Sequence, residues 1–179
     1  MSDIVIVGKC DSASDEAIRA IEASVMDLNP RARILRCDSP VTVDDPDLVR
    51  GRRVIVVEDG PMLTHGSMSF GAGVVGARAA GVAEIVDPAP FATRSIATTY
   101  ERYPNARGIL PAMGYDEAQV RDLEATIEAA DADAVVIGTP IDLTRVLRVG
   151  KPMTRARYEL AERVPGSLAA AVRRTLGIP

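Results

Sequence analysis

Two acids, a hydroxyl and the chain's single histidine stand close together in Glu58-Asp59-Gly60-Pro61-Met62-Leu63-Thr64-His65-Gly66. An imidazole near a carboxylate can relay protons and, once protonated, can balance phosphate charge. Glu58, Asp59 and His65 are therefore candidate catalytic groups, with Thr64 and Gly66 as candidate substrate contacts. The same segment also reads as a plain loop in which Asp59 caps a turn and His65 bonds the backbone. A second polar turn, Gly138-Thr139-Pro140-Ile141-Asp142-Leu143, offers Thr139 and Asp142, and Asp142 also reads as an N-cap. If Lys151 to Glu159 is extended, Lys151, Arg155 and Arg157 share one face. Two forked guanidiniums and an ammonium suit an acidic ligand, whereas a solvated face of an edge strand needs no ligand at all.

Two glycine-containing stretches invite a nucleotide reading. Gly71-Ala72-Gly73-Val74-Val75-Gly76 fits the GxGxxG pattern, and Asp87 stands where a ribose-binding acid could sit. That fingerprint needs its first glycine directly at the end of a strand, and here a long loop intervenes after Val57. A weaker form remains, in which residues from Gly66 to Gly73 leave N–H groups free for an anion at a helix N-terminus. Close helix packing through Gly73, Gly76, Ala77 and Ala80 explains the small residues equally well. The second stretch, Gly8-Lys9-Cys10-Asp11, spaces a lysine and an acid as in the guanine-recognition motif Asn-Lys-x-Asp, but lacks its leading Asn. No G-x-x-x-x-G-K-[ST] phosphate loop occurs in the chain, so it cannot by itself build a complete nucleoside-triphosphate site.

The elements that must position these groups follow from hydrophobic periodicity. Ile4 to Val7 and Arg33 to Cys37 read as strands around a helix whose stripe is Ile18, Ile21, Val25 and Leu28. Asp38 to Arg52 reads as a polar connector and a domain seam. Arg53 to Val57 is a buried parallel strand, so the loop from Glu58 lies at its C-terminal end, where open α/β sheets bind ligands. Phe70 to Ala80 is a helix, Glu84 to Val86 a strand, Arg94 to Arg102 a helix and Ile109 to Ala112 a strand. Asp116 caps the next helix, Ala134 to Ile137 is a buried strand, Met153 to Tyr158 another, and Ser167 caps a final helix. The expected architecture is α/β: an open, mostly parallel, Rossmann-like sheet with helices on both faces. The expected division is 1–48 and 49–179.

Composition bounds the partners. At 179 residues, with 47% hydrophobic and 26% charged residues, the chain is a folding globular sequence. Aromatic residues are only 3% and Trp is absent, so Val, Ile, Leu and Ala must build the core, as βαβ layers allow. A net charge of −4 with no Lys/Arg block speaks against nucleic acid. Cys10 and Cys37 lack metal-ligand spacing, so no metal is expected, and a reduced cytoplasm is the expected home. No apolar stretch approaches the roughly 20 residues that span a bilayer.

Taken together, several motifs resemble the C-terminal part of cyclic 2,3-diphosphoglycerate synthetase. They are Val56 to Pro61 with Leu63 to Gly66, Gly71-Ala72-Gly73, Glu84 to Pro88, Leu110 to Tyr115, Ile137 to Leu143, and Arg155-x-Arg157-Tyr158-Glu159-Leu160. The resemblance implies an enzyme class that uses ATP to close a phosphoanhydride within 2,3-diphosphoglycerate, with its phosphate loop upstream in a P-loop GTPase-like core. It places Lys9 and Asp11 on the base-recognition motif, Ser39 to Pro46 on the linker, and a small phosphorylated acid on Thr64, Gly66, Thr139, Asp142, Lys151, Arg155 and Arg157. ATP and Mg are implied only with a partner P-loop domain; the chain is a fragment of a longer enzyme or a stand-alone relative. A homo-oligomeric, non-enzymatic assembly or regulatory module is the alternative from another class, and a dinucleotide-binding domain is the third.

Overall fold

The computed structural model describes residues 2–60 and 69–178. Its elements are β1 (Ile4–Val7), α1 (Asp15–Leu28), β2 (Arg33–Asp38), β3 (Val41–Val43), β4 (Arg53–Asp59), α2 (Ala72–Ala79), β5 (Glu84–Ile85), α3 (Arg94–Arg102), β6 (Leu110–Ala112), α4 (Glu117–Ala129), β7 (Ala134–Ile137), β8 (Met153–Tyr158), β9 (Ala161–Glu162) and α5 (Ser167–Leu176). Short 3-10 turns punctuate the connections. The protein is a mixed α/β structure with mostly parallel sheets, a Rossmann-like arrangement. Among the described residues no helix is long and apolar enough to cross a membrane.

The chain forms two compact units. One runs to Pro40 and includes the segment from Tyr158 onward; the other spans Val41–Arg157. This differs from a division at residue 48 for two physical reasons. Val41 and Val43 are not connector but a strand: β3 lies beside β8, and both valines pack close to Gly76 of α2. At the other end, β9 pairs antiparallel with β2, Cys37 opposite Glu162 and Asp38 opposite Ala161, which draws the C-terminal segment into the first unit.

In the first unit, β1 and β2 are parallel and α1 crosses between them. Val7, Cys10 and Ile18 form its small buried cluster, with Ile34 against it. Ser14 starts α1 by accepting from the Ala17 N–H. Ser167 does not cap α5. It is the first helical residue after Gly166, and the Glu162 carboxylate instead accepts from the Gly166 and Leu168 N–H groups. Those bonds to a carboxylate hold the Glu162 pKa below its usual value.

The second unit carries the larger core. Its sheet runs β3-β8-β7-β4-β5, with β6 also on β4. β5 pairs with the start of β4, Arg53 opposite Glu84, while β6 pairs with its end, Asp59 opposite Ala112. β7 lies on the other side of β4, parallel, Val54 opposite Ala134. Val54 to Val57 and Ala134 to Ile137 are completely buried, as central parallel strands covered on both faces must be. Each buried valine or isoleucine among them contributes about 1.5–3 kcal/mol relative to exposure. The helix α2 covers one face through Gly73 and Gly76, whose missing Cβ atoms admit Val56 and Ala156.

Candidate functional site

The connections after β4 and β7 leave in opposite directions, toward β5 and toward β8. Adjacent strands with this property open a crevice beyond their C-terminal ends. The crevice rim is therefore Glu58, Asp59 and Gly60 on one side and Gly138, Thr139 and Pro140 on the other. Thr64, His65 and Gly66 belong to the connection after β4 and lie outside the described residues.

Glu58 is not at the surface of this rim. It is completely buried, and its Oε1 accepts from the N–H groups of Gly71 at 3.0 Å and Val74 at 2.9 Å. The anion site expected at the start of α2 is thus filled by the protein's own carboxylate. A dinucleotide pyrophosphate at Gly71 to Gly76 would meet that carboxylate, so the glycine run serves packing instead. Burial raises the Glu58 pKa, with the Val74, Gly73 and Gly71 N–H groups opposing. Its Oε2 is buried without a hydrogen-bond partner among the described residues. Gly138 makes room for it, since a Cβ there would lie 2.3 Å from Oε2 and 2.5 Å from the Gly73 nitrogen.

Asp59, the next residue, points the opposite way by strand alternation and is partly exposed. Tyr115, beyond β6, meets Thr139, beyond β7. Burial and the Asp59 charge raise the Tyr115 pKa, and its hydrogen bond with Thr139 opposes them. Thr139 is buried and also donates to the Ile141 carbonyl at 2.9 Å. Tyr115 stands within the Leu110 to Tyr115 motif, but nothing in the sequence links it to Thr139, which comes from a different strand end.

A charged group continues the rim toward β8. Arg155 donates to the Pro140 carbonyl at 3.2 Å and pairs with Asp142 at 3.2 Å. Arg157 clasps Asp44 through Nε and through Nη2, the latter at 2.8 Å. That bond holds the Asp44 pKa down, with burial opposing. Asp142 accepts from the Thr144 hydroxyl at 2.6 Å, which with the nearby Arg155 and Arg145 charges lowers its pKa against desolvation. Both arginines expected to hold an anion are therefore already matched with acids. Lys151 does not join them: β8 starts at Met153, and the Lys151 Nζ donates to the Ala130 carbonyl at the opposite end of the sheet.

The remaining sequence candidates have structural partners. Asp87 accepts from the Ala89 and Gly108 N–H groups and ties two loops together. Asp11 accepts from the Ser39 N–H at 2.9 Å, closing the ends of β1 and β2, while Lys9 is exposed with a left-handed φ of 57°. Among the described residues no group of three or more His, Cys, Asp or Glu side chains could hold a metal ion.

No protein-family model matches the chain. It is similar to arginine synthetase ArcE of Thermococcus kodakarensis, 49% identical over 161 residues. The match covers 90% of this chain and 36% of the relative, so the chain spans about a third of that protein's length. The likeness to part of a synthetase agrees in class with the motif resemblance; the compound in the relative's name is arginine, the product by that name, and not a diphosphoglycerate.

Proposed function

We propose that this chain is part of an ATP-dependent synthetase, and that the rim beyond β4 and β7 holds its product, a guanidinium-bearing amino acid of the arginine class. The similarity to arginine synthetase ArcE carries the reading. The rim's charge supports it: Asp142 and Asp44 are matched by Arg155 and Arg157, whereas Asp59 makes no ion pair among the described residues. A carboxylate so placed can accept from a ligand guanidinium through two parallel N–H bonds. Thr139 and the Tyr115 hydroxyl add neutral donors and acceptors beside it. Nucleotide chemistry is left to polypeptide beyond these residues or to a partner chain, because no phosphate loop is present.

Calorimetric titration of the chain with L-arginine at fixed ionic strength tests this. Saturable binding that Asp59→Asn weakens about tenfold, the loss of one charge-assisted contact, is expected. Absence of binding, or binding indifferent to Asp59→Asn, would overturn it. A second reading, a small phosphorylated acid on Arg155 and Arg157, rests on the motif resemblance. It replaces the first if 2,3-diphosphoglycerate binds in preference to arginine and Arg155→Ala abolishes that binding.

A further inference from the structure

The first unit contains a cleft of about 520 Å3 along the outer edge of β2. β9 pairs only with Cys37 and Asp38, so residues 33–36 have no ladder partner on that side. Among the lining residues are three arginines, Arg33, Arg36 and Arg163, and one acid, Glu22. Their commitments are uneven. Arg36 spends Nε and Nη2 on the Glu22 carboxylate, at 2.6 and 2.7 Å. Arg163 spends Nε on Asp38 and Nη2 on the Cys10 carbonyl. Both forks are thereby oriented, and both keep Nη1 without a partner among the described residues. Arg33 makes no ion pair, and its Nη1 is buried with no hydrogen-bond partner, among those residues. Arg36 also lies near enough to Arg163 to disfavour the latter's charge.

A buried unpartnered donor and like charges held together are costly unless something answers them. Glu22 balances Arg36 and Asp38 balances Arg163, which among the described residues leaves Arg33 as the one uncompensated positive charge of the cleft. The Nη1 groups left over on Arg36 and Arg163, with the unpaired Arg33 guanidinium lining the same cleft, suit the several oxygens of a tetrahedral anion. Ile34, Leu35 and Val164 supply apolar walls that strengthen such bonds by excluding water. We infer that this cleft of the first unit binds a phosphate dianion, free or as a phosphomonoester, through Arg33, Arg36 and Arg163. The site is separate from the rim proposed for the amino acid and does not depend on that reading.

Thermal-shift titrations with inorganic phosphate, 2,3-diphosphoglycerate and adenosine monophosphate test it, with NaCl holding ionic strength constant. A saturable rise in Tm is expected with inorganic phosphate. Arg33→Ala should weaken the affinity about tenfold or more, as expected for a charge-assisted bond, and Arg155→Ala should leave it unchanged. Tighter binding of one ester, with the same dependence on Arg33, identifies which molecule carries the phosphate. No shift with any of the three overturns the inference. So does a shift that Arg33→Ala leaves intact, or one that Arg155→Ala removes instead. Should Arg33→Ala fail to fold, Arg33→Gln with phosphorus NMR of bound phosphate gives the same decision.

Discussion

At the scale of single residues, Glu58 governs how the rim is built. Its buried carboxyl has a raised pKa, so between the usual value of 4.5 and the raised one the folded chain holds a proton that the unfolded chain has lost. Stability from this residue is present below pH 4.5 and is lost as pH rises through the folded pKa. Glu58→Gln should remove that loss. Denaturant unfolding of both proteins from pH 4 to 8 should show the variant gaining on the wild type as pH rises, and parallel curves would disprove the assignment. Gly138→Ala forces a Cβ against Oε2 and the Gly73 backbone and should cost about 1–3 kcal/mol in the same assay. The sequence shows Glu58 at the C-terminal end of a buried strand, and the structure has it there. The sequence does not show that Glu58 turns inward to α2 while Asp59 turns outward, because that depends on where a helix beyond the intervening loop begins. The arginines were similarly half legible: Arg155 and Arg157 share a face, but their acid partners Asp142 and Asp44 come from other elements.

At the scale of elements, the N-termini of three helices are held by carboxylates from elsewhere in the chain. Glu58 of β4 serves α2, and Glu162 of β9 serves α5. Asp122 of α4 serves α3, accepting from the Ser95 N–H at 3.1 Å and its hydroxyl at 2.6 Å. Among the described helices, only α1 and α4 are capped by side chains at their own cap position, Ser14 and Asp116. Asp116→Ala should therefore cost about 1 kcal/mol, measured by urea unfolding. Ser167→Ala should change the Tm far less than Glu162→Ala, and equal losses would restore Ser167 as the cap. The Asp122 pKa is lowered mainly by the Ser95 hydroxyl, against burial. Its stabilisation is present above the usual 3.8 and is lost as pH falls through the folded pKa. Local signals identified Asp116 because it caps from the cap position itself, and misassigned Ser167 because the acceptor is Glu162 of β9, upstream of the cap position held by Gly166. β3 was missed for a related reason: three residues between prolines and acids read as a connector, and only pairing beside β8 makes them a strand.

At the scale of the whole molecule, the larger unit is continuous in sequence and has its own core, whereas the smaller one joins two distant segments. A polypeptide of residues 41–157 should fold by itself with a cooperative thermal transition and dispersed NMR signals; a disordered fragment would show that its core is insufficient. The alternation of strand and helix was legible in the sequence because buried strands such as Ala134 to Ile137 are continuous apolar runs. The closing of the first unit by β9 was not, since two residues carry no period. The borrowed caps also order events in time. Peptides of residues 14–29 and 116–130 hold their own starting signals and should be measurably helical alone, whereas residues 71–80 should not. Where a helix draws its first bond from a carboxylate far off in the chain, it cannot precede the meeting of the two, so α2 and α3 are late arrivals during folding and the first to be released when the chain begins to open.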